Sequence, residues 1–284
     1  MLVFHIGLPK TATTFLQNSI FRQAEGVQMI HRKDGADAQY LISAIRHISS
    51  DSALKYLWQS RQALRALKKV DVVTPVLIVA AENMSVSRTS FWKGRGVGPC
   101  QVAERLDKMR NVLGRDAQDF RIVVGVRRQD RWLASRYAGS SASFSGFSQE
   151  DFEKRLNEIA SSPVLSPPYD WLDYAWVREA FARYFAKDEF MFVPTEQLDT
   201  DTATVLGKLG KFLGNIDLLA PLDAAQAPDG TARRNVHATS PNRWPLRNGK
   251  GDVTLTESLS RKILDRFARS NEQFQQFVAV NYLP

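Results

Sequence analysis

The sequence predicts an α/β protein built on a doubly wound, mainly parallel sheet flanked by helices. Three observations carry that reading. Short apolar runs recur at Leu2 to Ile6, Val76 to Ala81, Arg121 to Val126 and Glu189 to Val193, each of strand length. They lack the alternation of a strand with one wet face, so they read as strands buried on both faces. Stretches with apolar residues at helical spacing separate them, and strand–helix alternation of this kind makes parallel βαβ units.

The elements follow in order. Leu2 to Ile6 is the first strand, and a turn with Gly7 and Pro9 ends it. A helix then begins, with apolar pairs at Phe15-Leu16 and Ile20-Phe21. Helical spacing returns near 38–48 (Leu41, Ile42, Ile45) and over 51–69 (Leu54, Leu57, Leu64, Leu67). The second strand, 76–81, leads into a Gly- and Ser-rich segment, 87–99, that reads as loop. A helix over about 100–113 precedes the third strand, 121–126. Asp130 is a good helix-starting residue for 130–140. Further helices are expected near 148–160 and 172–186, a fourth strand at 189–193, and a helix over 201–213 that stops at Gly214. Asn215 to Asp252 is rich in Pro, Asn, Ala, Arg and Gly and is expected to be irregular; long segments of that kind are usually functional or mobile. A last helix is expected from Glu257 to Val280.

A chain of 284 residues can bury a sizeable core, and one domain spanning 1–284 is expected. The net charge of +8 suits a polyanionic partner. A stable nucleic-acid complex is not expected, because no recognisable binding module accompanies the charge. Cys100 is the only cysteine, which rules out an internal disulfide and fits a reducing compartment. No apolar run is long enough to span a membrane, so the expected location is the cytoplasm. No His, Cys or carboxylate cluster has metal-ligand spacing, and no metal site is expected.

The chemistry lies at the strand ends, where ligands of open parallel sheets bind. Gly7–Thr14, Glu82–Ser87 and Arg127–Ser135 should share one crevice. In the first segment Pro9, Lys10, Thr11, Ala12, Thr13 and Thr14 lead from the strand into a helix start. Unpaired backbone N–H groups, the helix dipole and the Lys10 charge make this a phosphate site. It is not the usual G-x-x-x-x-G-K-S/T loop, since Gly7 stands three residues before Lys10 and no second glycine precedes the lysine. In the third segment Arg127, Arg128 and Arg131 form a strong anion site, and Ser135 follows Arg127 by eight positions. A guanidinium can hold a terminal phosphate bidentately, while a hydroxyl donates to a remaining oxygen.

These segments resemble the two signatures of sulfotransferases that use 3′-phosphoadenosine-5′-phosphosulfate (PAPS). Pro9 to Thr14 is similar to their P-K-T-G-T-T loop, which holds the 5′-phosphosulfate. Arg127 and Ser135 match the arginine–serine spacing of their 3′-phosphate site. Ala12 departs from the pattern by replacing glycine, so it must keep a negative φ or weaken binding. Phe190 to Leu198 with its E-x-L, Phe212-Leu213-Gly214 and Ser270-Asn271 extend the resemblance to nearly the full length.

The resemblance implies a P-loop sulfotransferase fold, PAPS as co-substrate and a small-molecule or carbohydrate acceptor, with 3′-phosphoadenosine-5′-phosphate (PAP) as product. It implies Lys10 as a catalytic residue and Arg247, Gly249 and Lys250 in a late loop over the nucleotide. Acceptor specificity should come from a helical lobe formed by 25–75 and 140–187. Glu82, directly after the second strand, is the expected general base. His5 is the second candidate, although its strand position favours a core role. Trp58, Trp92 and Trp132 are candidates for stacking on adenine or lining the acceptor pocket, or for plain core packing. A small-molecule P-loop kinase and a non-catalytic nucleotide- or nucleic-acid-binding protein are the alternatives.

Overall fold

The computed structural model describes residues 1–47, 53–81, 84, 91–113, 119–165, 167–225, 240, 242–249 and 251–282. Among them, five parallel strands form one sheet in the order β2-β3-β1-β4-β5. The strands are β1 (Leu2–Gly7), β2 (Val27–His31), β3 (Val76–Ala80), β4 (Phe120–Val126) and β5 (Phe190–Pro194). Four match the apolar runs. β2 was not expected; it is an edge strand whose residues are mostly half-buried, so it offers no continuous apolar run.

The period of two along each inner strand divides the core into layers. Leu2, Phe4, Ile6, Val79, Ile122, Val124 and Phe192 face one side of the sheet. There they meet α2 (Ala36–His47), α3 (Ala53–Lys68), α4 (Pro99–Leu113), α5 (Gln129–Ser140), α6 (Gln149–Ser161) and α7 (Tyr174–Ala182). Val3, Ile78, Val123, Met191 and Val193 face the other side. They meet the helix after β1 together with α8 (Thr195–Thr200), α9 (Thr202–Phe212) and α10 (Leu219–Ala225). The helices that follow the neighbouring strands β1 and β4 therefore leave to opposite faces. Between those helices lie the strands' carboxyl ends, the place where such sheets bind ligands.

The helix after β1 is irregular. It starts as α1 (Thr13–Phe15) and continues as a π-helical stretch, Leu16–Phe21. Widened turns of this kind are rare and cluster at functional sites. The expected helix 201–213 is preceded by a separate turn, α8. The expected final helix is two, α11 (Glu257–Arg266) and α12 (Ala268–Tyr282), divided at Phe267. The segment 215–252 is not wholly irregular: it contains α10 and β6 (Arg243–Pro245), which pairs antiparallel with β7 (Asp252–Thr254). Buried Trp244 and Val253 pin this hairpin to the helical layer. No helix among the described residues is long and apolar enough to cross a membrane.

Candidate functional site

The phosphate loop is shaped by β4. Gly7 of β1 is in register with Gly125 of β4, and a Cβ on Gly7 would lie 2.9 Å from the Gly125 nitrogen. The parallel ladder runs one rung further, with the Leu8 N–H donating to the Gly125 carbonyl at 3.2 Å. Thr11 is buried, and its hydroxyl donates to the Leu8 carbonyl at 2.6 Å. A Cβ on Gly125 would stand 2.5 Å from that hydroxyl oxygen, so glycine there is what admits Thr11. The Thr11 side chain thus closes the loop, and its amide is the group left for an anion. Thr13 is buried at the helix start, whereas Thr14 is exposed.

The expectation of negative φ at Ala12 is corrected. Ala12 has φ of 55° and Lys10 has φ of 78°, both left-handed. The reversal is too tight for ordinary backbone: the chain must turn from β1 over the end of β4 and enter a helix within five residues. Each such residue costs about 1–3 kcal/mol, a strain that clusters at ligand clamps.

Helix α5 holds the loop from the other side. The Trp132 indole Nε1 donates to the Pro9 carbonyl at 2.7 Å. An Arg127 guanidinium N–H donates to the Lys10 carbonyl at 3.2 Å. The Lys10 side chain runs along α5 towards Gly139, where a Cβ would lie 3.2 Å from its Cε. The first and third strand-end segments therefore meet, as expected.

Arg127 is itself fixed. Its backbone N–H donates to the Tyr174 hydroxyl at 3.4 Å, and that hydroxyl donates to the Arg127 carbonyl. The Arg127 Nε lies 3.9 Å from the Glu196 carboxylate, which also accepts from the Arg128 N–H at 3.1 Å. Burial, offset only in part by Glu196, pulls the Arg127 guanidinium below its ordinary value. Ser135 is buried on α5, two helical turns beyond the strand end.

Several motif residues of the chain's second half brace the elements around this arginine. Glu196 of the E-x-L stretch receives the start of α5. Ser270 donates to Asp173 at 2.6 Å and accepts from the Ala175 N–H at 3.0 Å, holding the start of α7 on which Tyr174 sits. Asn271 and Gln129 exchange amide hydrogen bonds at 2.6 and 3.2 Å, tying α12 to α5.

The late loop lies at the far end of α5. The Arg247 N–H donates to the Ser141 hydroxyl at 2.6 Å, and Gly249 takes φ of 72° in the turn of the β6–β7 hairpin. Ser141 lies six residues beyond Ser135, about 9 Å along a helix axis. Glu82 and Lys250 lie outside the described residues, as do 83 and 85–87 of the second strand-end segment.

His5 is fully buried, edge-on to Phe21 at 5.4 Å and 3.5 Å from the Gln17 amide, which is the environment of a core histidine. Trp132 and Trp92 belong to the core around Phe91, and Trp132 also braces the loop. Trp58 is 61% exposed on α3. Gly125, Gly139 and Tyr174 have structural parts around Lys10 and Arg127 that the sequence did not reveal, and Glu196 was singled out only as part of the E-x-L stretch. The signal of the first three was position: two glycines and a tyrosine that become neighbours of Lys10 and Arg127 once the strands are ordered.

No protein-family model matches the chain, and no curated protein matches it. Among solved structures, the crystal structure of a sulfotransferase from Alicyclobacillus acidocaldarius is similar to it. The match covers 97% of this chain and 94% of that chain, with a TM-score of 0.51 and 11% sequence identity. The likeness is one of fold: the chain has the α/β architecture of a sulfotransferase.

Proposed function

We propose that the chain is a sulfotransferase that moves a sulfuryl group from PAPS to a hydroxyl or amine, with a carbohydrate or other small molecule as acceptor. One observation carries this reading. Within a sulfotransferase-like fold, the Pro9–Thr14 loop and the Arg127–Ser135 segment are docked on each other by hydrogen bonds from Arg127 and Trp132. Two anion sites joined in that way suit a ligand with phosphates at both ends of one nucleoside.

In this reading Lys10, the amides of Thr11 and Ala12, and the start of α1 with Thr13 and Thr14 hold the 5′ end. Arg127 and Ser135 hold the 3′-phosphate, and Arg247, Gly249 and Lys250 close over the nucleotide from the hairpin side. The acceptor oxygen or nitrogen forms a bond to sulfur while the bond from sulfur to the bridging phosphate oxygen breaks. The acceptor proton passes to Glu82, and PAP leaves. Lys10 stabilises the charge that grows on the bridging oxygen, an electrostatic role set up before reaction. The acceptor lobe is assigned to 25–75 and 140–187 of a single domain, where Trp58 and Tyr40 offer exposed aromatic surface. The location proposed is the cytoplasm.

Calorimetric titration with PAP, adenosine 5′-phosphate (AMP) and ATP in excess EDTA tests the reading. PAP should bind about ten- to a hundredfold more tightly than AMP, the range for an added charged hydrogen-bonded contact. Arg127→Ala should remove most of that difference. Equal affinities for PAP and AMP, or tight binding of ATP only when Mg²⁺ is restored, would turn the assignment towards a kinase.

A further inference from the structure

We propose that Arg131 is a second guanidinium ligand of the phosphate held by Arg127 and Ser135, which makes this end of the site selective for a doubly charged group. The inference rests on the nucleotide reading above and adds a residue to it.

The three arginines of the strand end are engaged differently. Arg128 is spent on structure: its guanidinium forms two bonds of 2.8 Å to Asp130. That carboxylate is fully buried and also accepts from the Ser260 hydroxyl at 2.6 Å. Arg127 is locked to the loop through the Lys10 carbonyl, with one carboxylate 3.9 Å away. Arg131 is half-buried in the first turn of α5, and its Nε, like that of Arg127, is shielded from solvent without a hydrogen-bond partner among the described residues. Unlike Arg127 and Arg128, it forms no ion pair with a carboxylate among them.

A shielded donor of a charged fork calls for an explanation. Its position supplies one. Arg131 is four residues before Ser135 on α5, and residues four apart on a helix are neighbours, about 6 Å between Cβ atoms, while Arg127 stands two residues ahead of that helix. The repulsion of Arg131 also acts on Arg127, in the same direction as burial. The carboxylates that act on Arg127 are Glu196, 3.9 Å away, Asp199 and Asp130, and Asp130 is already engaged by Arg128. An entering dianion relieves the repulsion between the two guanidiniums, and each planar fork can bond two of its oxygens. The next residue, Trp132, is bonded to the Pro9 carbonyl, so the Arg131 backbone is held at a fixed distance from the phosphate loop.

The test is calorimetric titration of wild type, Arg131→Gln, Arg131→Lys and Arg127→Ala with PAP and AMP, each variant's fold being checked by its thermal melt. Arg131→Gln should weaken PAP about ten- to a hundredfold and leave AMP within about twofold, since only the 3′ contact is lost. Arg131→Lys should recover part of the PAP affinity by restoring charge without the fork. An unchanged PAP affinity in Arg131→Gln, with PAP lost in Arg127→Ala, would overturn the proposal and leave the nucleotide reading standing. Equal loss of PAP and AMP in a folded Arg131→Gln would also overturn it, by showing a general distortion of the loop. A wild type that binds PAP and AMP alike would remove both.

Discussion

At the scale of single residues, Ala12 and Asp170 carry strain of two kinds. Ala12 holds a left-handed conformation that glycine adopts freely. Ala12→Gly relieves about 1–2 kcal/mol in the folded chain and loses about 0.5–1 kcal/mol through unfolded-state entropy. In urea titration that variant should lie between unchanged and about 1.5 kcal/mol more stable, whereas Ala12→Val should lose about 1–2 kcal/mol at a φ hostile to β-branching. A glycine variant that is clearly less stable would show that the methyl, which touches the core beside β1, matters more than the torsion. Asp170 sits against Gly98, and its Oδ1 is buried without a hydrogen-bond partner among the described residues. Burial pushes its carboxyl up to about 6, with neighbouring Asp173 adding to the rise. Between about pH 4 and 6 the folded chain keeps a proton that the unfolded chain has released, so stability falls as pH rises through that window. Solvent screening of a half-exposed group limits the loss to about 1 kcal/mol. Asp170→Asn should therefore raise the melting temperature at pH 7.5 and flatten the decline; an identical pH profile in the variant would refute this.

At the scale of elements, α5 is the ruler of the site. Arg127 precedes its first turn and the Lys10 side chain reaches Gly139 near its last, about 15 Å of axis apart. The two charges should then separate kinetically. Lys10→Ala should lower kcat more than it weakens PAP, because its contact strengthens as the bond to sulfur breaks. Arg127→Ala should act mainly on nucleotide affinity, and Glu82→Gln should cut turnover by about 10²–10⁴-fold with PAP binding intact. Steady-state rates with an identified acceptor, set beside PAP titrations, check all three; wild-type turnover in Glu82→Gln would remove it as the base.

The legibility of these parts followed their physics. β1, β3, β4 and β5 are buried on both faces and announce themselves as apolar runs, and the two arginine- and lysine-bearing turns lie directly after two of them. β2 stands at an edge, and the β6–β7 strands are three residues each with one buried side chain apiece, too little pattern to read. The π-helical winding after Phe15 and the break at Phe267 leave no periodic trace. Gly125 and Gly139 could be understood only after β4 and α5 were set beside Lys10, since a glycine's meaning there is the atom that would otherwise collide with it.

At the scale of the whole molecule, the positive charge and the layer order act together. The net charge of +8 favours the approach of an anionic nucleotide from a distance, an effect that salt screens. The parallel sheet buries its inner strands between two helical layers, so the carboxyl ends of β1 and β4 are flanked on both sides by packed elements. The final helix reaches back to the same strand ends through Ser270, Asp173 and Tyr174 to Arg127. The site is thus held by contacts drawn from nearly the full length of the chain.

The central place of β1 has a consequence for the order in which the molecule is made. β1 leaves the ribosome before its partners β3 and β4, which begin at Val76 and Phe120. Its phosphate loop stays without a scaffold until Gly125, Arg127 and Trp132 have been synthesised, and α12 comes later still. At about 5–20 residues per second the nascent strand waits for several seconds with both edges open. Pairings so distant in sequence also belong to slowly folding topologies. β1 and the loop after it therefore gain their scaffold only once β4 and the start of α5 have been made, and a nucleotide site built on them should form no earlier.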